Sequence, residues 1–223
     1  MNPRLFIEIT PQDIFTPKLI NFANIDQVAK EAGKFDFVLA DLGVSSMQID
    51  NPERGFSYKI DGPLDLRMNP QKGESAAERL HNITEEEFIG MLIENSDETY
   101  AEEIAEKVFF KMKTGDPMDT TTALRNAISQ ALIRLPKDKR DEAVKKSCQR
   151  TFQALRIDVN SEFEVLYSFL EKLPNILNPG GRVAILTFHS GEDRLVKQSF
   201  KQLQREGIYS EVSKDVIRPS AEE

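Results

Sequence analysis

Two stretches of the chain repeat one order of signals: a helical pattern, a turn and a short apolar run. The first run covers residues 35–40 (FDFVLA), and the second covers residues 182–188 (RVAILTF) after the turn NPGG at 178–181. Both runs have the length and the β-branched or aromatic content of buried strands. This repeat predicts an α/β fold with two central parallel strands and helices on the faces of the sheet.

Helical periodicity precedes each predicted strand. Apolar residues recur every three or four positions before each run: Ile25, Val28, Ala29 and Ala32, and then Phe152, Leu155, Val159, Phe163, Leu166, Leu170, Leu173 and Leu177. The second series predicts a long amphipathic helix that Pro174 bends or breaks near Leu173. A further helix is predicted from Glu192 to Glu206, ending at Gly207, with a strand over residues 208–212.

Between the predicted strands, residues 83–146 carry helical patterns and no convincing strand. Thr84 with Glu87 predicts a capping box, Gly115 a helix stop, and Asp119 or Thr120 a helix start. We therefore expect three segments: a partial sheet-containing core with a motif loop at 1–82, an all-helical insertion at 83–146, and a return to the core at 147–223.

The charge balance argues against binding nucleic acid by bulk electrostatics, because the formal net charge is −8. One region departs from this balance: seven basic residues stand against three acidic ones, namely Arg134, Lys137, Lys139, Arg140, Lys145, Lys146 and Arg150 against Asp138, Asp141 and Glu142. A local RNA contact and a solvated helix face both fit this pattern.

Nothing in the chain predicts a membrane or secreted protein. No run of about 18 apolar residues occurs, and the start MNPRLFIEIT has neither a long apolar stretch nor a small-residue cleavage site. The one cysteine, Cys148, excludes an internal disulfide. We expect a protein of the reducing cytoplasm.

Polar residues follow both predicted strands, where open α/β sheets bind their ligands. The first strand leads into DLGVSSMQ at 41–48 and the second into HSGEDR at 189–194. Asp41, followed by the hydroxyls of Ser45 and Ser46, predicts a site that orients a cofactor or a base; the alternative is that Asp41 only caps the next element. His189 is a candidate proton acceptor or a structural hydrogen-bonding residue, and we expect no metal site because His81 and Cys148 share no ligand spacing with other residues.

A second dense stretch, RGFSYKIDGPLDLRM at 54–68, predicts an ordered loop. Arg54 and Arg67 are forked donors suited to phosphate, and Phe56 and Tyr58 are able to stack on a base. The alternative is a loop packed on its own aromatic residues, with Asp61 and Asp65 pairing the arginines.

The glycines of the chain include no G-x-G, the signature of a nucleotide-cradling turn.

Four motifs in this order and spacing, DLGVSSMQID, RGFSYKIDGPLDLRM, RTFQALRIDVN and FHSGEDR, resemble the bacterial RsmH/MraW family of small-subunit rRNA methyltransferases. The resemblance implies a class I Rossmann-like methyltransferase core with an inserted all-helical domain. It also implies methylation of the exocyclic N4 of a cytosine in small-subunit rRNA, with S-adenosyl-L-methionine as the cofactor. Free rRNA or a ribosomal particle would be the partner, and a homodimer is one expected form.

By motif, the resemblance assigns cofactor contacts to Asp41, Gln48 and Phe22. From the chemistry of such a transfer we expect Asp41, Ser45 and Ser46 near the reacting centre, with His189 as a candidate proton acceptor. We also expect Arg54, Arg67 and Arg150 to contact RNA. The chain departs from the family in three ways.

First, family members have a longer segment before DLGVSS, with the glycine-rich turn of the first βα unit and an acidic residue for the ribose, whereas forty residues precede Asp41 here. Second, a basic tail is missing after Arg218. Third, Gly191 stands where a leucine is usual. We expect a member shortened at both ends, either active or a catalytically inactive RNA-binding or ribosome-associated fragment.

Overall fold

Two parallel strands form the sheet in the part of the chain that the computed structural model describes, residues 16–217. β1 spans Phe35–Asp41 and β2 spans Leu177–Leu186, with Asp41 opposite Leu186. The parallel pairing confirms the predicted α/β class. β2 starts earlier than predicted because its NPGG segment forms an irregularity inside the strand, with Gly180 at a φ of 81°. The expectations on the N-terminal ten residues and on Arg218 lie outside the described residues.

Helices occupy most of the remaining described residues. They are α1 Ile25–Ala32, α2 Ser46–Ile49, α3 Ala76–Asn82, α4 Glu85–Ser96, α5 Ala101–Lys113, α6 Thr121–Ala131, α7 Lys137–Asn160, α8 Glu162–Ile176 and α9 Ser190–Arg205, with 3-10 turns at Phe22–Asn24 and Pro52–Arg54. The Thr84 capping box and the Thr120 cap are both present. None of the helices in residues 16–217 is long and apolar enough to cross a membrane.

The long helix predicted before β2 breaks at Ser161 and not at Pro174. Ser161 adopts the left-handed conformation, with a φ of 49° and a ψ of 45°, and separates α7 from α8. Pro174 lies inside α8, two residues before its end. A proline so close to a helix end disturbs few backbone hydrogen bonds, which explains why α8 continues through Pro174.

Buried apolar side chains form two clusters. One is helical, includes Leu80, Phe88, Ile104 and Leu124, and reaches Leu155 on α7. The other lies against the sheet. α7 runs continuously through residues 146 and 147, so the predicted helical insertion and the predicted return to the core share this helix. The division into segments 1–82, 83–146 and 147–223 stays a prediction.

The sheet is covered by helices on one face within the described residues. α1, α8 and α9 pack on that face around Val38. On the opposite face, Phe37 is 57% exposed and Leu39 is 60% exposed. Side chains alternate between faces along a strand, so the prediction of strands buried on both faces is wrong for this part of the chain.

The strand predicted over residues 208–212 is not formed. The backbone N–H groups of Ile208 and Tyr209 both donate to the carbonyl of Leu203, and the ring of Tyr209 packs edge-on against Phe200 at 5.6 Å. These backbone groups complete the end of α9 and are therefore not used in a sheet ladder.

Candidate functional site

The loop after β1 presents an exposed carboxylate at the edge of the sheet. The N–H of Leu42 donates to the carbonyl of Leu186 at 3.3 Å, which extends the strand pairing past Asp41. Gly43 then turns the chain at a φ of 88°. The exposed Asp41 is not the cap of the next helix, because Ser45 fills that role.

Ser45 and Gln48 form a capping box around α2. The Ser45 hydroxyl accepts the Gln48 N–H at 3.4 Å, and Gln48 Oε1 accepts the Ser45 N–H at 2.9 Å. Ser46 is the first residue of this short helix. The capping box fixes the shape of the loop beside Asp41, so Ser45 and Gln48 have a local structural role besides any ligand contact.

The loop after β2 turns its histidine inward. His189 is the N-cap of α9, and its Nδ1 accepts the Glu192 N–H at 3.4 Å. The neutral imidazole therefore carries its proton on Nε2. Nε2 is buried 3.3 Å from Glu192 Oε1, and the His189 side chain is 10% exposed. This arrangement matches the structural alternative; the proton-acceptor role stays a prediction.

Glu162 completes a buried charged cluster with His189 and Glu192. Arg156 donates to both Glu162 carboxylate oxygens, at 2.8 and 3.0 Å. Burial raises the pKa of Glu162 in spite of this fork. Burial also opposes ionisation of Glu192, but hydrogen bonds from His189 and from the Phe188 N–H outweigh it and lower the pKa of Glu192.

The same cluster contains the residues that could hold a metal ion. One ligand atom from each of Glu162, His189 and Glu192 lies within 4.8 Å of the others. Coordination through Nε2 would move the ring proton to Nδ1, where the Glu192 N–H already points. Arg156 occupies both oxygens of Glu162. Protein groups therefore occupy most of the ligand atoms of this cluster, and His189 Nε2 is the buried atom left without a hydrogen-bond partner.

The two arginines of the motif loop hold the loop together. Arg54 donates to the carbonyls of Arg67 and Met68 at 2.7 and 2.8 Å. Arg67 forms a fork with Asp65, with distances of 2.7 and 2.9 Å, and also donates to the carbonyl of Gly73. These contacts match the alternative in which Asp65 pairs an arginine. RNA contact by either arginine stays a prediction.

The aromatic residues of this loop pack on the protein. The Phe56 ring lies 5.5 Å from the Arg54 guanidinium carbon, and Tyr58 packs edge-on against Phe152 at 5.8 Å. Both rings lie against the helical cluster. The loop is therefore ordered, as predicted, and its aromatic residues contribute to its own packing.

Asn160 is a key residue that the sequence reasoning did not single out. Its amide donates to the carbonyl of Leu66 at 2.8 Å and accepts the Met68 N–H at 2.6 Å. Leu66 is buried with a φ of 61°, so this hydrogen bonding holds a strained turn. Since Glu162 is two residues further on, the α7–α8 junction connects the motif loop to the His189 cluster. The one signal in the sequence for the role of Asn160 is its position as the polar last residue of the motif RTFQALRIDVN.

Two predicted site residues lie away from the strand ends. Phe22 packs edge-on against Phe169, in the middle of α8, at 5.2 Å. Arg150 donates to Thr99 at 2.9 Å and lies ten residues before Asn160 on α7, about 15 Å along the helix. The structure thus brings Asp41, Ser45, Ser46, Gln48 and His189 to one edge of the sheet, and separates Arg150 from them.

Neighbouring parallel strands with polar loops at their carboxyl ends define an α/β protein, and these ends are where open α/β sheets hold their ligands. The sequence matches the model of the MraW methylase family over residues 8–223. The chain belongs to this family, which confirms the resemblance found in its motifs.

Relatives of the chain carry the name ribosomal RNA small subunit methyltransferase H. The protein from Lachnoclostridium phytofermentans, H 1, is 71% identical over 211 residues, which is 95% of this chain and 58% of the relative. The Agathobacter rectalis H 1 protein is 65% identical over 212 residues, 95% of this chain and 61% of the relative. The Alkaliphilus metalliredigens H 2 protein is 60% identical over 211 residues, 95% of this chain and 60% of the relative. The chain thus spans about three fifths of their length.

Proposed function

We propose that this protein transfers a methyl group from S-adenosyl-L-methionine to the exocyclic N4 of a cytosine in small-subunit rRNA. Membership of the MraW methylase family and the names of the relatives support rRNA methylation. The proposed architecture is a Rossmann-like core with the helical region inserted between its two strands. The proposed substrate is free rRNA or a ribosomal particle in the cytoplasm, and the proposed form of the protein includes a homodimer.

The register of the two strands is the observation that carries the proposal. Asp41 pairs with Leu186, and His189 follows three residues later. Both motif loops therefore leave the sheet at the same edge, which is where open α/β sheets hold their ligands. If β2 were shifted along β1 so that Leu186 no longer lay opposite Asp41, the loops after the two strands would be separated.

The residues at this edge fit the cofactor. The Asp41 carboxylate is exposed, and a Cβ built on Gly43 would have only the Phe188 ring within 4 Å, at 3.6 Å. The backbone is thus approachable beside an acceptor of hydrogen bonds. Asp41 and Gln48 would contact the cofactor at this edge, whereas the proposed cofactor contact by Phe22 comes from a residue that packs on Phe169, away from the edge. S-adenosyl-L-methionine supplies an electrophilic methyl group when bound.

The residues of the chain act mainly by positioning. A cytosine amino nitrogen is a poor nucleophile because its lone pair is delocalised into the ring. The Asp41 carboxylate accepts a hydrogen bond from that amino group and aligns it, while the Ser45–Ser46 turn sets the shape of the pocket. His189 holds the N-terminus of α9 in place, and RNA contacts by Arg54, Arg67 and Arg150 complete the proposal.

A second function is a catalytically inactive RNA-binding or ribosome-associated module. The absence of any G-x-G among the 223 residues favours it, because that turn normally cradles the nucleotide part of such a cofactor. The two functions differ in cofactor binding. An inactive module would bind RNA without binding S-adenosyl-L-methionine.

Isothermal titration with S-adenosyl-L-methionine separates these functions. We expect heat of binding with the wild-type chain and a clear loss of affinity in Asp41→Asn. Asp36→Asn is the matched control, because Asp36 lies at the opposite end of β1 and its Oδ1, which accepts from Asn178 at 2.8 Å, is retained in asparagine. The absence of heat and of any thermal shift at millimolar cofactor would contradict activity of this chain by itself.

A further inference from the structure

Phe188 is an exposed aromatic residue at the same edge of the sheet as Asp41. The residue is 68% exposed, and its Cδ2 atom lies 3.6 Å from the position of a Cβ built on Gly43. The ring therefore stands beside the Asp41–Gly43 turn. No role was assigned to it from the sequence.

The backbone of Phe188 is held firmly although its ring is exposed. The Phe188 N–H donates to Glu192 Oε2 at 2.8 Å, and Glu192 is buried within the His189 cluster. The next residue, His189, is fixed as the N-cap of α9. The fixed backbone reduces the conformational freedom that is lost when a flat ligand stacks on the ring.

A methyltransferase acting on a cytosine amino group must take the base out of its stack, which needs a compensating surface. We propose that Phe188 is the side chain on which the extruded cytosine stacks, with its amino group directed toward Asp41. This inference rests on the proposed function. Aromatic rings compensate unstacking because every base has a π-face that they can cover.

Other exposed aromatic residues do not combine these properties. Phe37 is exposed on the same sheet but lies in the middle of β1, four residues before Asp41. The Phe110 ring, on α5, has Lys107 above it at 5.5 Å. Tyr167 is on α8, outside both strand-end loops. Phe22, which is 39% exposed, packs on Phe169 of α8. Phe188 is thus the exposed aromatic side chain, among those described, that adjoins Gly43.

Photo-crosslinking tests the stacking directly. The probe is a single-stranded oligouridine with one central 5-iodocytidine, bound to the purified chain at low salt, irradiated and mapped by peptide mass spectrometry. We expect the crosslink at Phe188 in the wild-type chain. In Phe188→Leu, which keeps an apolar side chain but no ring, we expect the crosslink to disappear and binding of a cytidine-containing oligouridine to weaken about 5- to 150-fold.

Phe188→Tyr keeps the ring and is expected to retain the affinity within about 3-fold, while Phe37→Leu is the matched control at an exposed aromatic position of the same sheet. A crosslink at another residue, no crosslink, or equal losses in the two leucine variants would overturn the stacking role. Methyl transfer is measured separately. A Phe188 crosslink without methyl transfer would contradict the proposed function and support the stacking role. Methyl transfer without the crosslink would support the proposed function and contradict the stacking role.

Discussion

Replacing Gly191 by leucine is expected to destabilise the chain through the ring of Phe163. A Cβ at position 191 would lie 2.6 Å from Phe163 Cζ and 3.1 Å from Cε1. Both residues lie in the first turns of their helices, α9 and α8, and the Phe163 ring also packs beside His189 at 6.0 Å between centroids. The close approach of the Phe163 ring to Gly191 therefore lies between the first turns of α8 and α9, at the candidate site.

The expected magnitude follows from two opposing terms. Overpacking costs about 1–3 kcal/mol, and the gain in helix propensity from glycine to leucine returns up to about 1 kcal/mol. The net loss in the free energy of unfolding lies between about 0 and about 3 kcal/mol, or up to roughly 12 °C in Tm for a chain of this size. Phe163→Leu removes the obstructing ring, so the double variant is expected to recover at least about 1 kcal/mol relative to additivity.

Urea unfolding followed by circular dichroism measures all four members of this cycle. Gly90→Leu is the control, because Gly90 is helical and a Cβ there meets nothing within 4 Å; it is expected to be neutral or stabilising. Additivity of the two substitutions within about 0.5 kcal/mol would refute the steric coupling. An equal loss in Gly90→Leu would show that the effect is not specific to the Phe163 contact.

Three further outcomes are expected. Burial opposes ionisation of Asp65, but hydrogen bonds from Arg67 outweigh it and hold the pKa of Asp65 below its ordinary 3.8. The stabilisation by Asp65 is thus present above that value and lost as the pH falls through the folded-state pKa, and Asp65→Asn is expected to flatten the acid limb of stability. Burial raises the pKa of Cys148 to about 11, so a thiol reagent is expected to label the native chain no faster than it unfolds. On the sheet, Leu39→Glu is expected to change stability by less than about 0.5 kcal/mol and to reduce binding of an apolar dye, whereas Val38→Glu costs more than about 3 kcal/mol.

Each of these outcomes has a clear contrary result. An acid limb in Asp65→Asn that matches the wild type would show that the fork with Arg67 does not contribute to stability. Fast labelling of Cys148 under native conditions would contradict its burial. Similar losses at Leu39 and Val38 would contradict the assignment of one covered face and one exposed face of the sheet.

The class of fold was predictable because it depends on local patterns. The two apolar runs and the turn before the second gave the parallel pairing, and α1 and α9 have nearly the predicted bounds. The break at Ser161 was not predictable, because the left-handed conformation of a serine has no composition signal while Pro174 gives a strong one. The prediction of a strand over residues 208–212 was wrong because a strand also needs a neighbouring strand to pair with, which local residue preferences do not reveal.

The position of the candidate site was predictable, but its internal contacts were not. Asp41 and His189 come together because parallel strands end at one edge. The cluster around His189 includes Glu162, which Arg156 holds, and both residues are distant from His189 in the sequence. Likewise, the role of Asn160 depends on Leu66 and Met68, more than ninety residues away.

The nucleoside formed on small-subunit rRNA tests the central claim most directly. The chain is incubated with the rRNA and with S-adenosyl-L-methionine carrying a deuterated methyl group, and the digested nucleosides are separated by chromatography and mass spectrometry. We predict a deuterated N4-methylcytidine that is lost in Asp41→Asn and retained in Asp36→Asn. A labelled methyl group on a different atom or base, or equal labelling in the two variants, would contradict a strand-end site built around Asp41.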